Sequence, residues 1–128
     1  MRHNAGMAFE HSLPLKIVRR RRDGVTIECP LREEFLNDTG VLHGGIIASI
    51  ADEAVWHAMT HHFGKRRPST TTELKVNYLR PIAGKKVTAK AHLLRAGKRL
   101  CVGRVDLVDD AGRLAAVAVV SYMLLDGG

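Results

Sequence analysis

The sequence predicts an α+β fold in which a curled antiparallel sheet of about five to six strands wraps around one long central helix. One segment, from Gly44 to about His62, has apolar residues at the three- and four-residue spacing of a helix. Six runs rich in β-forming residues flank it, two before and four after. Because the helix is apolar over most of its circumference, the sheet should curl around it and bury it.

The residues before the helix predict a hairpin and a turn. LPLKIVRRRRDGVTIECP, residues 13–30, contains two β-type runs around Asp23-Gly24, a dipeptide typical of hairpin turns. LREEFLND, residues 31–38, is a short connector with room for one helical turn. Asn37 to Gly40 reads NDTG, and its side chains bond nearby backbone readily, so the chain should turn there.

The residues after the helix predict four strands. Gly64 and Pro68 should end the helix, and the β-type runs that follow are STTTELKVNYLR, KKVTAKAHLLR, RLCVGRVDLV and GRLAAVAVVSYMLL. The separators PIAG, AGK and DDAG are short and contain glycine. We therefore expect these strands to pair in chain order as an antiparallel meander.

Length and composition limit the class of protein and its compartment. Residues 1–128 should form a single domain, with residues 1–10 as a flexible N-terminal segment. The N-terminus lacks the apolar core of a secretory signal, and the longest apolar run is far shorter than a membrane span. Cys29 and Cys101 follow no metal or redox spacing. These features favour a cytoplasmic protein without a membrane partner.

The chain is strongly basic, with a formal net charge of +7 and a pI near 9.9. This balance suits an anionic partner such as nucleic acid, an acidic membrane surface or a phosphorylated cofactor. Aromatic residues make up only 5% of the chain, and no basic-aromatic stacking pattern or nucleic-acid recognition motif is present. We therefore expect no nucleic-acid partner.

Two stretches of sequence resemble the phenylacetate-degradation (PaaI-like) type of hotdog-fold acyl-CoA thioesterases. In LNDTGVLHGGIIASIADEA, Asn37, His43 and Asp52 follow one another in the order and spacing of that family's signature. Further along, NYLRP and the Gly-Lys-Arg turn at residues 97–99 match the family's four-strand half. The resemblance covers about residues 11–125, nearly the whole chain.

This resemblance implies the hotdog fold and the hydrolysis of acyl-CoA thioesters without a metal or organic cofactor. It also implies a homodimer or a dimer of dimers. Asp52 would act as nucleophile or general base, and the Gly44 N–H would polarise the thioester carbonyl.

Four further residues take roles by the same resemblance, and each also has a purely structural interpretation. Asn37 would lie near the scissile carbonyl and the attacking water, although it also suits the turn. His43 would contact the thioester or cap the helix. Thr71, with Thr72 as its alternate, would orient the water or the carboxylate, although threonines are also good strand formers.

The residue types suit this chemistry. Thioester cleavage needs a donor for the oxygen that becomes negative and a base or nucleophile for the attack. The first turn of a helix offers free N–H groups, and Gly44 and Gly45 would let a substrate approach them, or else merely allow a tight turn. Asp52 and Glu53 lie equally far from the apolar face of the helix, so only the family motif selects Asp52.

The spacing along the helix predicts a dimer. Gly44 and Asp52 are about 12 Å apart at roughly 1.5 Å per residue, whereas the acid or its water must lie about 3 Å from the carbonyl. One chain cannot assemble that site. Asp52 would therefore work with Gly44 of a second subunit whose helix runs antiparallel.

The nucleotide end of CoA carries phosphates, for which the resemblance indicates basic residues in turns at the mouth of the cleft. Solvated turns would explain the same residues equally well. The candidates are Arg80, Lys98 and Arg99, with Lys85 and Lys86 as lesser ones.

Several alternatives remain open. A hotdog dehydratase or hydratase would use a differently spaced His and acid, and a non-catalytic acyl-CoA or nucleic-acid binding module would not need the helical acid. His57 and His61 have a metal-ligand spacing but no third ligand at a usual offset, so no metal site is expected. The shape of the acyl pocket depends on which helix side chains face the interface; the candidates are Trp56, Met59 and Phe63, and Trp56 is equally suited to the core.

Overall fold

A computed structural model describes residues 12–126, so the segment expected to be flexible, residues 1–10, lies outside the described residues. The predicted order of two strands, one long helix and four strands is present, and residues 31–38 contain one short helical turn. In chain order the elements are β1 (Lys16–Arg21), β2 (Gly24–Pro30), a 3₁₀ helix (Glu33–Phe35), α1 (Gly44–Phe63), β3 (Ser69–Tyr78), β4 (Lys86–Ala96), β5 (Leu100–Val108) and β6 (Leu114–Leu124).

The six strands form one curled, unclosed sheet in the order β1-β2-β4-β5-β6-β3, and every neighbouring pair is antiparallel. The predicted antiparallel sheet is therefore confirmed. The simple meander of the last four strands is wrong, however. β4, β5 and β6 pair in chain order, whereas β3 lies at the far edge beside β6.

The connection between β3 and β4, residues 79–85, explains why β3 leaves the meander. Ile82 in this connection is fully buried, and its carbonyl accepts a hydrogen bond of 2.7 Å from the Leu42 N–H. The Leu31 N–H then donates to the carbonyl of Lys85. The segment therefore crosses the end of the core toward β2 instead of turning back, and β4 pairs with β2.

The predicted hairpin between β1 and β2 is present, with Arg21 paired to Gly24. The backbone at Gly24 does not itself require glycine, since its φ is not positive. The requirement comes from packing. A Cβ there would lie 2.3 Å from the carbonyl oxygen of Ala91 on β4. The neighbouring strand passes too close for any side chain.

Helix α1 lies on the concave face of the sheet and packs mainly against β2 and β4. Gly103 on β5 permits this approach, since a Cβ at that position would lie 2.8 Å from the methyl groups of Val55. The helix ends at Gly64, whose φ of 73° is left-handed. The buried face of α1 contains Ile47, Ile50, Ala51, Ala54, Val55, Ala58 and Met59.

The edge strand β3 is largely exposed, and its outer edge has no partner strand among residues 12–126. Within the same residues, no helix is long and apolar enough to cross a membrane. Both cysteines are free and buried. Burial raises the pKa of the Cys29 thiol to about 11, against a smaller opposing effect of Arg32.

Candidate active site

Asp52, in the middle of α1, lies above a cross-strand pair of hydroxyl side chains. Thr71 on β3 is paired with Tyr122 on β6. Thr71 Oγ1 donates a hydrogen bond of 2.9 Å to Asp52 Oδ1, and the Tyr122 hydroxyl donates one of 2.6 Å to the same oxygen. Side chains from α1, β3 and β6 thus meet at one carboxylate.

The other oxygen of this carboxylate, Asp52 Oδ2, is left open to solvent. No donor in the described part of the chain bonds it, and no buried side-chain oxygen there lacks a partner, so solvent reaches Oδ2. The residue as a whole is half-buried. A carboxylate with one oxygen held and the other open can accept a proton or attack a carbonyl carbon.

Tyr122 is a residue of this site that the sequence analysis did not identify. Only 4% of it is exposed, and burial, followed by the hydrogen bond to Asp52, raises the pKa of the phenol far above its usual value. The hydroxyl therefore keeps its proton and remains a donor. The signal in the sequence is an inward-facing tyrosine on β6 after Ala116, Ala118 and Val120, since a buried tyrosine hydroxyl needs a partner.

The start of α1 has one unpaired amide. His43 caps the helix, because its Nδ1 accepts a hydrogen bond of 3.0 Å from the Gly45 N–H. The main-chain oxygen of His43 accepts from Ile46 and Ile47. The Gly44 N–H has no acceptor within residues 12–126. Of the two amides expected to face a substrate, only that of Gly44 is available.

The local geometry does not require glycine at position 44, whereas a Cβ at Gly45 would lie 3.2 Å from Nδ1 of the capping His43. Neither Gly44 nor Gly45 has positive φ, which removes the tight-turn interpretation based on left-handed backbone. A Cβ at position 44 would lie 3.4 Å from the hydroxyl of Tyr78, an ordinary contact, and that hydroxyl donates a hydrogen bond of 2.7 Å to the Gly44 carbonyl. Glycine at position 44 would still let a ligand approach the free Gly44 N–H closely.

The Asn37 side chain organises the turn that precedes the helix. Its Oδ1 accepts hydrogen bonds from the Thr39 N–H at 3.0 Å, the Thr39 hydroxyl at 2.8 Å and the Val41 N–H at 3.2 Å. Gly40 completes the turn with a φ of 79°. The break expected at NDTG is present, and the side-chain NH2 of Asn37 has no acceptor in the described range.

Of the two candidate threonines, only Thr71 contacts the acid. Thr72 is an extra residue in β3, a bulge between Thr71 and Glu73. Its hydroxyl donates a hydrogen bond of 3.3 Å to the main-chain oxygen of Ser121. Thr72 therefore secures the two strands at the bulge.

The basic residues expected to contact phosphates lie at opposite ends of the sheet. Arg80 follows β3, and its N–H donates to the carbonyl of Ala115 at the start of β6. Lys98 and Arg99 lie in the β4–β5 turn, where the Arg99 carbonyl accepts from Leu124 at the end of β6. At about 3.3 Å per residue, these two ends are roughly 30 Å apart. One chain does not bring all three residues to a single nucleotide.

The two lesser candidates in the β3–β4 connection already have partners. The main-chain N–H groups of Lys85 and Lys86 both donate to the carboxylate of Asp110. Lys86 Nζ forms an ion pair of 2.8 Å with Glu28, and this hydrogen bond raises the pKa of Lys86. These contacts hold the connection against β2 and the β5–β6 turn.

The histidines of α1 do not form a cluster with other ligands. His57 is half-buried, and burial, then the nearby Arg66 and Arg20, lower the pKa of His57. Its ring contacts Trp56 edge-on, with centroids 5.1 Å apart. Among residues 12–126, no three His, Cys, Asp or Glu side chains are placed to hold a metal ion.

The three candidates for the acyl pocket near the C-terminal end of α1 differ in burial. Met59 belongs to the core, whereas Trp56 and Phe63 are only partly buried. Arg66 lies 5.3 Å from the Trp56 ring and Arg67 lies 4.6 Å from the Phe63 ring, so cations cover both aromatic faces.

Known proteins resemble this chain in sequence and in fold. The family model described as the thioesterase superfamily matches residues 39–116. The chain is similar to the medium/long-chain acyl-CoA thioesterase YigI of Escherichia coli strain K12, with 38% identity over 92% of this chain and 86% of that protein. It is also similar in structure to a conserved protein of Pseudomonas aeruginosa, with a TM-score of 0.83, 28% identity, and coverage of 92% of this chain and 94% of that chain.

The PaaI protein of Escherichia coli has the same fold, with a TM-score of 0.81, 22% identity, and coverage of 91% of this chain and 83% of that chain. The hotdog fold expected from the sequence motifs is therefore confirmed. The family match spans the end of the turn before α1, the helix and strands β3, β4 and β5, so it includes His43, Gly44, Asp52 and Thr71 but not Tyr122. The chain belongs to the thioesterase superfamily.

Proposed function

We propose that this chain hydrolyses acyl-CoA thioesters to a free acid and CoA, with Asp52 activating the attack. The observation that carries the proposal is the Asp52 carboxylate, which has one oxygen held by Thr71 and Tyr122 and the other open to solvent. The similarity to an acyl-CoA thioesterase of Escherichia coli over most of both chains supports this substrate class.

In this proposal Asp52 acts together with the Gly44 N–H of a second subunit. The two residues are about 12 Å apart along their own helix, too far to contact one carbonyl. A two-fold homodimer with antiparallel helices would place each acid opposite its partner's helix start and create two equivalent sites. Two such dimers could associate further into a dimer of dimers.

The exposed edge of β3 supports this dimer. Its outer edge is unpaired in the described residues, so the β3 strand of a second copy can extend the sheet. Thr71, which contacts the acid, lies near the start of β3, and Tyr78, which contacts Gly44, lies at its end. Antiparallel pairing about a two-fold axis would therefore bring the acid half of one chain beside the amide half of the other.

The same pairing would gather the basic residues. Arg80 follows the Gly44 end of the sheet, and Lys98 and Arg99 flank the Asp52 end. Across a two-fold axis, Arg80 of one protomer and the Lys98-Arg99 turn of the other would border one site. We propose that they bind the phosphates of CoA, which gives part of the net charge of +7 a function.

The proposed chemistry consumes one water for each thioester. The Gly44 N–H donates to the carbonyl oxygen as it becomes negative. The water oxygen bonds to the carbonyl carbon while its proton passes to Asp52 Oδ2. The C–S bond then breaks, and the sulfur takes the proton from Asp52 Oδ2 to leave as the free thiol, which regenerates the carboxylate. If Oδ2 itself attacks, a mixed anhydride forms first and water then hydrolyses it to the same two products.

The proposal needs neither a metal nor an organic cofactor, since the carboxylate and a backbone amide supply the chemistry. It places the reaction in the cytoplasm, which the two free cysteines support, because disulfides are rare in that reducing compartment. No nucleic-acid or membrane partner is part of it.

A thiol-release assay tests the function. The protein is incubated with acyl-CoA thioesters that include medium and long straight chains, and free CoA is measured. We expect turnover by the wild type and a loss of about a hundredfold or more in Asp52→Asn. Asp106→Asn is the matched control, because this carboxylate on β5 contacts Arg104 and not the site. A folded Asp52→Asn protein with wild-type turnover would contradict the mechanism.

A further inference from the structure

We propose that Tyr122 is a positioning residue that determines which oxygen of Asp52 reacts. Together with Thr71 it holds Oδ1, and this leaves Oδ2 as the reactive atom. The inference rests on the thioesterase function proposed above and adds a residue from β6 to it. It predicts that Tyr122 acts only through Asp52 and has no contact with the substrate.

The packing around Tyr122 and the contacts of its hydroxyl hold the phenol in one position. Tyr122 is 4% exposed, so the surrounding core holds its ring in place. Its hydroxyl reaches the underside of α1, 2.6 Å from Asp52 Oδ1 and 3.0 Å from the main-chain oxygen of the same residue. One hydroxyl thus contacts both the backbone and the side chain of Asp52. These contacts restrain the carboxylate against rotation.

The hydrogen bonds to Asp52 make its two carboxylate oxygens different. Thr71 and Tyr122 each have one hydroxyl hydrogen, and both hydroxyls donate to Oδ1. In solution the two oxygens of a carboxylate are equivalent. Here Oδ1 is held on the sheet side of the helix, and Oδ2, with no donor from residues 12–126, faces solvent. Attack or proton transfer at Oδ2 leaves both hydroxyl contacts intact.

The two hydroxyls have different roles in this arrangement. Thr71 is half-buried on an edge strand beside the bulge, so its surroundings constrain it less than the core constrains Tyr122. The phenol also stays protonated, since burial raises its pKa. Tyr122 is therefore the donor whose removal should disturb the carboxylate more.

Tyr122→Phe tests the inference because it removes the hydroxyl and keeps the ring. We expect kcat to fall about ten- to hundredfold, the effect of losing one hydrogen bond to a charged group, with KM changed by less than about twofold. Ser121→Ala is the matched control, since it removes a hydroxyl from the next residue of β6, whose side chain points to the other face of the sheet. This control should retain wild-type kinetics.

A double-mutant cycle distinguishes positioning from a general structural effect. If Tyr122 acts through Asp52, adding Tyr122→Phe to Asp52→Asn should not lower the residual rate further. An equal further loss in that background would overturn the inference. Thermal melting should place the single variant within a few degrees of the wild type. If Tyr122→Phe does not fold, Thr71→Val removes the other donor and should lower kcat at constant KM, and an unchanged kcat would overturn the inference.

The same assays separate this inference from the function on which it rests. A wild-type protein that releases no thiol from any acyl-CoA would overturn both. If the wild type is active, Asp52→Asn is inactive and Tyr122→Phe has wild-type kcat and KM, only the role of Tyr122 is wrong.

Discussion

His43 Nδ1 accepts a hydrogen bond of 3.0 Å from the Gly45 N–H, and this cap leaves the preceding Gly44 N–H without an acceptor in the described part of the chain. The cap therefore does more than stabilise the start of α1. It occupies the amide of Gly45 and identifies the amide of Gly44 as the donor that a substrate carbonyl can use.

The first prediction concerns that donor. Gly44→Pro should fold, because proline suits the first position of a helix and the ψ of 135° at His43 is compatible with a following proline. The variant removes the free N–H, so kcat should fall about a hundredfold or more. Gly44→Ala is the control that keeps the N–H, and its Cβ makes an ordinary contact with Tyr78 at 3.4 Å. It should lose less than about tenfold. Equal activity in both variants would show that the amide is not used.

The second prediction concerns the two-subunit site. Asp52→Asn chains keep the amide and Gly44→Pro chains keep the acid, so a dimer containing one of each has one complete site. After the two inactive proteins are unfolded and refolded together in equal amounts, about a quarter of wild-type activity should return, since about half of the dimers are mixed. No recovery, in a mixture shown by mass spectrometry to contain mixed dimers, would mean that each chain forms its own site.

The third prediction concerns stability at the same carboxylate. Asparagine at position 52 should turn its amide oxygen toward Thr71 and Tyr122, so Asp52→Asn should unfold at nearly the wild-type denaturant concentration. Asp52→Ala leaves the buried Tyr122 hydroxyl and its Thr71 neighbour without this acceptor. It should lower the free energy of unfolding by about 1–3 kcal/mol. Chemical denaturation measures both, and an alanine variant as stable as the asparagine variant would show that the hydroxyl contacts contribute little.

The fourth prediction concerns pH. Burial raises the pKa of Cys29 from 9.0 to about 11, so above pH 9 the unfolded chain loses this thiol proton before the folded chain does. The contribution of Cys29 to stability is therefore complete below pH 9 and is lost as the pH rises toward 11. The free energy of unfolding should fall more steeply over that range in the wild type than in Cys29→Ala. Parallel curves for the two proteins would contradict the raised pKa.

Local patterns were enough to predict the elements. The spacing of Ile47, Ile50, Ala54 and Ala58 defines the helix without reference to the rest of the chain, and its expected end differs from the observed one by a single residue. The Asp52 position came from the family motif, because periodicity does not separate it from Glu53. These predictions depended on neighbours within a few turns or on a known signature.

Long-range packing determined the features that were missed. The position of β3 depends on burial of Ile82, which directs the connection toward β2, and a Gly-containing separator does not reveal that. The contact between Tyr122 and Asp52 joins residues 70 apart in the sequence. The contact exists only because β6 lies beside β3 under the middle of the helix. A predicted strand order without this pairing therefore cannot predict that Tyr122 contacts Asp52.

The bulge at Thr72 has a further consequence for the two halves of the site. Thr71 and Tyr78 are an odd number of positions apart on β3, and side chains at odd separations normally point to opposite faces of a strand. The additional residue restores the phase of the alternation, so that Thr71 reaches the acid and Tyr78 reaches the helix start on the same side. If β3 kept its length but paired with β6 without this bulge, one of these two side chains would turn outward, and the change of register would uncouple the acid from the amide.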